Sequence, residues 1–250
     1  MEKKQNKHKF GLLGRHISYS FSKAYFSKKF ENEKLPHSYV NFDVNNIEAF
    51  INILKNEKQL KGFNVTIPYK IDIIPFLNSL NKHAQNIGAV NTVKILKNGQ
   101  LKGYNTDYYG FKKSIKPYLK SYHQQALILG TGGASKAVIY ALNQLNILHH
   151  VVSRTKKEGV DFTYSDLKKN ILTSHQIIVN CTPLGTFPNV DDCPEIPYQF
   201  IQNTHLLYDL IYNPAETKFL KHGKSANATT INGSKMLELQ AEKAWKIWLK

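Results

Sequence analysis

Leu127-Ile128-Leu129-Gly130-Thr131-Gly132-Gly133-Ala134-Ser135-Lys136-Ala137 is a short apolar run that breaks into glycines and then into a helical pattern. Residues of these types in this order suit an anionic pyrophosphate. Gly130 permits a sharp exit from a strand, and Gly132 and Gly133 keep side chains away from a ligand over the helix N-terminus, where unpaired N–H groups and the dipole favour negative charge. Ser135 stands where the usual fingerprint has its third glycine, so a plain glycine-rich turn remains the alternative.

The next apolar segment, His149-His150-Val151-Val152, runs into Ser153-Arg154-Thr155-Lys156-Lys157. Ser153 lies about 20 residues past the glycines, where an NAD site would place an acid on the ribose 2′-hydroxyl. In place of an acid the chain offers Arg154, whose planar fork suits a 2′-phosphate, with Lys156 and Lys157 as nearby point charges. This reads as a site for NADP rather than NAD; a solvated basic turn is the alternative. Arg15 and Arg154 are the only arginines in a chain whose 34 basic residues are otherwise lysines, so Arg154 departs from the chain's own habit.

These groups need a doubly wound sheet to hold them. Val138, Ile139, Ala141, Leu142 and Leu145 give the helix after the glycines one apolar face. Ile177–Asn180 and Leu206–Ile211 are short enough for buried parallel strands. Tyr212-Asn213-Pro214 then turns the chain out at the carboxyl edge, with Tyr212 either facing the crevice or simply half-buried. The last helix, Ser234 to Leu249, carries core candidates Met236, Leu237, Leu239, Ala244, Trp245 and Trp248. Gln240 follows Met236 by one turn, as a functional or a surface amide.

The first half has its own βα alternation, which predicts a second α/β unit. Phe10–Gly14 reads as a strand, and a polar loop from Arg15 to Ser22 leads to a helix through Ala24, Tyr25, Phe26 and Phe30. Ser20 and Ser22 at that junction read as N-caps, but one cap needs one serine, which leaves a hydroxyl free to converge on a carboxylate. Strand Ser38–Asp43 and a helix carrying Ile47, Phe50, Ile51 and Leu54 follow. The strand in Gly62–Lys70 must stop near Thr66, because Pro68 cannot join a ladder; Pro68 then opens a helix, and Asn64, Thr66 and Lys70 reach the carboxyl edge. Asn98-Gly99 predicts a type I′ hairpin between Gly88–Val93 and Leu101–Gly103. Asp107 opens a helix with Phe111, Ile115 and Leu119, and reads either as its N-cap or as a functional acid.

The chain has 250 residues, enough for two moderate domains, and no apolar run near the length of a transmembrane helix. The charged start, Met1 to Lys9, leads into too short an apolar stretch for a signal peptide, so a cytoplasmic location is expected. Cys181 and Cys193 are too few for a disulfide framework and lack metal-ligand spacing, so no metal is expected. A net charge of +16 is spread along the chain with no nucleic-acid module, which argues against nucleic-acid and membrane partners; the field instead concentrates anionic small molecules.

In sequence and in order, Ser20-x-Ser22, Asn64-Val65-Thr66-x-Pro68-x-Lys70, Gly88-Ala89-Val90-Asn91-Thr92, Asn105-Thr106-Asp107, Gly130-x-Gly132-Gly133-Ala134-Ser135, Ser153-Arg154-Thr155, Asn180-x-Thr182-Pro183-Leu184-Gly185 and Gly233-x-x-Met236-Leu237-x-x-Gln240 resemble the shikimate dehydrogenase family. The resemblance spans nearly the whole chain. It implies an N-terminal α/β substrate domain, residues 1–105 completed by the C-terminal helix 234–250, joined to a Rossmann-like doubly wound NADP-binding domain, 106–233. It further implies reversible reduction of 3-dehydroshikimate to shikimate, with small molecules as the only partners and a monomer or homodimer as the assembly.

By the same resemblance Lys70 and Asp107 are the catalytic pair, and Ser20 and Ser22 hold the substrate carboxylate. Thr66, Asn91, Asp107, Tyr212 and Gln240 contact the ring hydroxyls or line the pocket. Gly130, Thr131, Gly132, Gly133, Ala134, Ser153, Arg154, Thr155, Leu210 and Gly233 hold the cofactor. Five positions depart from the family pattern: Tyr19, Lys23, Lys82, Tyr108 and Thr186. Tyr108 bears most on function, as a bulky ring beside Asp107. A quinate enzyme using NAD and a non-catalytic metabolite sensor are the rival readings.

Overall fold

The computed structural model describes residues 7–18 and 20–250; Met1 to Asn6 and Tyr19 lie outside the described residues. The chain forms two compact units, one of residues 1–106 with 241–250 and the other of residues 107–240.

The first unit runs β1 (Lys9–Gly14), α1 (Phe21–Asn32), β2 (Ser38–Asp43), α2 (Ile47–Asn56), β3 (Leu60–Val65), β4 (Ser79–Leu80), α3 (Lys82–Ile87), β5 (Thr92–Ile95) and β6 (Leu101–Tyr104). Its six-stranded sheet has the order β2-β1-β3-β5-β6-β4. β1 pairs in parallel with β2 and β3, whereas β5 runs antiparallel to β3 and β6. α2 begins where the Asn46 side chain accepts from Ala49 N at 2.9 Å, and it buries Ile47 and Phe50. These join Leu13, Phe63 and Val93 in one core. A second core is aromatic: Phe10, Phe26, Phe30 and Tyr39 pack with Trp245 and Trp248 from the chain's last residues. Trp248 Nε1 donates to Val93 O at 2.9 Å, which satisfies the indole N–H while its ring is buried.

Two local expectations fail here. The β5–β6 connection is not a type I′ turn, because Gly99 alone has positive φ (+82°) and Asn98 does not. Gly99 N bonds Leu96 O at 2.9 Å, giving a four-residue turn followed by a left-handed glycine, while Asn98 Oδ1 caps Gln100 N at 3.1 Å. Nor does Pro68 open an α-helix: residues 67–73 form successive turns that end in a 3₁₀ turn, Ile74–Phe76.

The second unit runs α4 (Asp107–Ile115), β7 (Gln125–Leu129), α5 (Gly133–Asn143), β8 (Leu148–Ser153), β9 (Phe162–Thr163), α6 (Lys169–Ser174), β10 (Ile177–Asn180), β11 (Leu206–Asp209), α7 (Lys218–Ser225), β12 (Thr229–Ile231) and α8 (Ser234–Leu249), the last of which crosses the unit boundary. All pairings are parallel, in the order β12-β11-β10-β7-β8-β9. The winding direction reverses between β7 and β10, and α/β sheets bind ligands beyond the carboxyl ends at such a point. Leu127, Leu129, Ile178 and Leu207 are completely buried, as strands covered on both faces require. β11 ends at Asp209, so Leu210 and Ile211 belong to the strand exit rather than to the strand. Among the described residues no helix is long and apolar enough to cross a membrane.

Candidate active site

In the first unit the expected substrate residues gather at the carboxyl edge of β3. Thr66 N donates to Leu13 O and Tyr69 N to Thr66 O, both at 2.9 Å, which folds the chain into the turn bearing Lys70. Val90 N donates to Lys70 O at 2.7 Å, so this turn lies against the entry to β5, where Asn91 sits. Thr66 and Lys70 are half-buried, and Asn91 is buried.

Asn91 is held by its neighbours. Its Oδ1 accepts from Thr106 N at 2.7 Å and from Thr92 Oγ1 at 3.1 Å, while its Nδ2 donates to Thr106 Oγ1 at 3.0 Å. Asn64 Nδ2 donates to Asn91 O and to Thr92 Oγ1, both at 3.1 Å. Asn64 is thus committed to this buried network beneath the edge.

The serine pair is arranged differently from simple capping. Ser20 occupies the N-cap position of α1, yet its side chain makes no cap bond; Ser20 Oγ donates to Asn41 Oδ1 at 3.2 Å. Ser22 hydrogen-bonds the Tyr39 hydroxyl. Tyr39 in turn donates to Asn64 Oδ1 at 2.8 Å, and burial raises its pKa well above the ordinary tyrosine value. Two serines spaced i, i+2 therefore meet Tyr39 and Asn41, also i, i+2, which share one face of β2. Sequence reasoning missed Tyr39 and Asn41; their spacing on a strand was the available signal. Lys23 is exposed on α1, Lys82 is the first residue of α3, and Tyr19 lies outside the described residues.

The second unit carries the rest. Asp107 is the first residue of α4 and not the residue before it, so it does not occupy the N-cap position. It is buried, and its charge suits a helix N-terminus. Tyr108 is also buried, with its ring edge-on to Tyr140 of α5 at 5.2 Å between centroids. Gln240 is buried, and its Nε2 donates to Leu237 O at 3.0 Å. Tyr212 is half-buried on the exit from β11.

The glycine turn has the geometry that phosphate binding needs. Gly130 adopts φ +108° beside Cys181 and Thr182, a conformation that favours glycine. A Cβ built on Gly132 meets nothing within 4 Å, so the space before α5 is open to a ligand. Gly132 is the N-cap residue of α5, Gly133 and Ala134 form its first turn, and Ser135 Oγ donates to Gly132 O at 2.6 Å.

Ser153 ends β8, and Arg154 and Thr155 are exposed beyond it. Arg154, Tyr164, Leu184, Asp192, Cys193 and Glu195 line a cavity of about 300 Å³. Burial pushes the Tyr164 hydroxyl up to about 12, against the opposing effect of the Arg154 charge. Lys157 Nζ donates to exposed Thr131 Oγ1 at 3.0 Å and so ties the basic turn to the glycine turn. Thr186 N donates to Pro183 O at 3.1 Å in the loop after β10. An open helix N-terminus, a glycine cradle and an exposed arginine on one sheet edge fit a phosphorylated dinucleotide. Among the described residues no group of three or more His, Cys, Asp or Glu is placed to hold a metal.

Residues 12–93 match the family model of the shikimate dehydrogenase substrate-binding domain. The chain is 40% identical to the NADP(+) shikimate dehydrogenase of Clostridium beijerinckii, over 96% of this chain and 91% of that protein. It superposes on a shikimate dehydrogenase solved in complex with NADP+ with a TM-score of 0.85 at 35% identity, covering 97% of this chain and 90% of the other. The enzyme of Thermus thermophilus, solved with NADP(H) and shikimate, matches with a TM-score of 0.85 at 29% identity, over 96% and 93% of the two chains.

Proposed function

This chain belongs to the shikimate dehydrogenase family, and on that premise we propose how its residues carry out the family's reaction. It is an NADP-dependent oxidoreductase that interconverts 3-dehydroshikimate and shikimate. The observation that carries the cofactor choice is Arg154, exposed just beyond Ser153, which ends β8 at the position where an NAD site would place an acid.

NADP, when bound, supplies or accepts the hydride. Gly130, Thr131, Gly132, Gly133 and Ala134 cradle its pyrophosphate. Ser153, Arg154 and Thr155 hold its 2′-phosphate, and Leu210 and Gly233 shape the wall beside it. Ser20 and Ser22 anchor the substrate carboxylate, while Thr66, Asn91, Tyr212 and Gln240 fix the ring hydroxyls. Lys70 donates a proton to the C3 oxygen in reduction and takes it back in oxidation; Asp107 orients the neighbouring hydroxyl and stabilises the ammonium. The N-terminal unit serves the substrate and the other the cofactor. A cytoplasmic enzyme acting on small molecules as a monomer or homodimer completes this reading.

A steady-state assay of shikimate with NADP against quinate with NAD tests it. Faster oxidation of shikimate with NADP is the expected result. A preference for quinate with NAD, or binding without turnover, overturns it.

A further inference from the structure

Asp209, the last residue of β11, has no exposure to water, and its carboxylate accepts three hydrogen bonds. Oδ1 accepts from Asn180 Nδ2 at 3.1 Å and Ile211 N at 3.0 Å, and Oδ2 accepts from Thr217 Oγ1 at 2.6 Å. Each donor belongs to a different stretch of chain at the carboxyl edge of the sheet.

Asn180 ends β10 and faces Asp209 across the parallel ladder. An amide side chain has one donating and one accepting end. With the amino end committed to Asp209, Asn180 Oδ1 turns toward Thr182 and accepts from its backbone N at 3.0 Å and its Oγ1 at 2.7 Å. Thr182 Oγ1 then accepts from Leu184 N at 3.3 Å. The second donor, Ile211 N, fixes the strand exit between Leu210 and Tyr212. The third, Thr217, has given its one hydroxyl proton to Asp209 and so caps α7 by accepting from Leu220 N at 3.3 Å.

We propose that Asp209 is a positioning residue for the cofactor edge: its carboxylate sets the orientation of Asn180, and through it the Thr182–Leu184 loop, and holds Leu210 where the strand exits. The proposal rests on the reading of this edge as the NADP site. Leu184 lines the same cavity as Arg154, so an error in the loop reaches the pocket directly. Burial pushes the Asp209 carboxyl up to about 6, against the three donors that favour its charged form. A residue kept for packing alone would not carry that penalty, since an apolar side chain fills the same space without it.

The test compares Asp209→Ala, Asp209→Asn and Asn180→Ala with the wild type, by direct NADP titration and by amide hydrogen exchange of the free protein. Asp209→Ala orphans three buried donors and should raise the NADP dissociation constant roughly 10-fold or more. It should also speed exchange at Thr182, Leu184 and Ile211. Asp209→Asn keeps an oxygen toward Asn180 and Ile211 while Thr217 accepts from its amino group, so it should restore affinity to within about 3-fold. Asn180→Ala leaves Asp209 its bonds from Ile211 N and Thr217 Oγ1 but removes the Asn180 donor and with it the link to the loop. It should reproduce the affinity loss, which keeps the test decisive if Asp209→Ala does not fold. Folded variants that bind NADP like the wild type, with unchanged exchange at those amides, overturn the role of Asp209. A wild type that does not bind NADP overturns the reading of the edge itself, and the exchange data then separate the two failures.

Discussion

Gly233 lies against the carbonyl of Leu210: a Cβ built on the glycine would sit 2.1 Å from Leu210 O. Gly233 N also donates to Ile211 O at 2.9 Å, which fixes the entry to α8 against the exit from β11. Glycine is required here by close approach, since its φ is not in the left-handed region. Gly233→Ala forces this backbone apart, and overpacking of this kind costs about 1–3 kcal/mol. The variant should melt several degrees lower and bind NADP more weakly, as thermal unfolding and cofactor titration would record.

Lys70→Ala should lower turnover by about 10²–10⁴-fold, the usual contribution of a positioned acid–base group. Shikimate affinity, measured by equilibrium binding, should change far less. Unchanged turnover would remove Lys70 from the chemistry.

Arg154→Ala removes a charge-assisted contact to the 2′-phosphate and should weaken NADPH binding on the order of 10- to 150-fold. NADH has no such phosphate, so its dissociation constant should stay nearly constant. An equal loss for both cofactors would make Arg154 structural.

The pair His150 and His175 predicts how stability responds to acid. His175 Nδ1 lies 2.7 Å from Ile171 O, which can only accept, so Nδ1 carries the hydrogen and Nε2 accepts from His150 Nδ1 at 2.8 Å. Burial holds the His175 pKa below the ordinary value, with the nearby His150 adding to the effect. The unfolded chain therefore takes up this proton first as pH falls, and the contribution to stability is lost below about pH 6.5. The fall in Tm between about pH 7.5 and pH 5.5 should be smaller in His175→Gln than in the wild type. Equal slopes would show that His175 does not carry the effect.

Short-range order made part of this protein legible from its residues alone. An apolar run, a glycine turn and an amphipathic helix specify strand, turn and helix with little help from the rest of the chain, so the turn from Gly130 to Gly133 could be read directly. Arg154 stood out because it broke the lysine habit of its own chain. The Asn98-Gly99 turn and the end of β11 were decided otherwise, because hydrogen bonds to Leu96 and Gln100 and the three donors around Asp209 outweighed dipeptide preference and apolar periodicity. Tyr39, Asn41 and Asp209 acquired their roles only in the folded chain. Asp209 sits within an apolar run where sequence shows a lone acid interrupting a strand, and nothing nearby specifies Asn180 and Thr217 as its partners. Those donors arrive through the parallel register of β10 with β11 and the placement of α7, and pairings across such distances leave no periodic trace in the sequence.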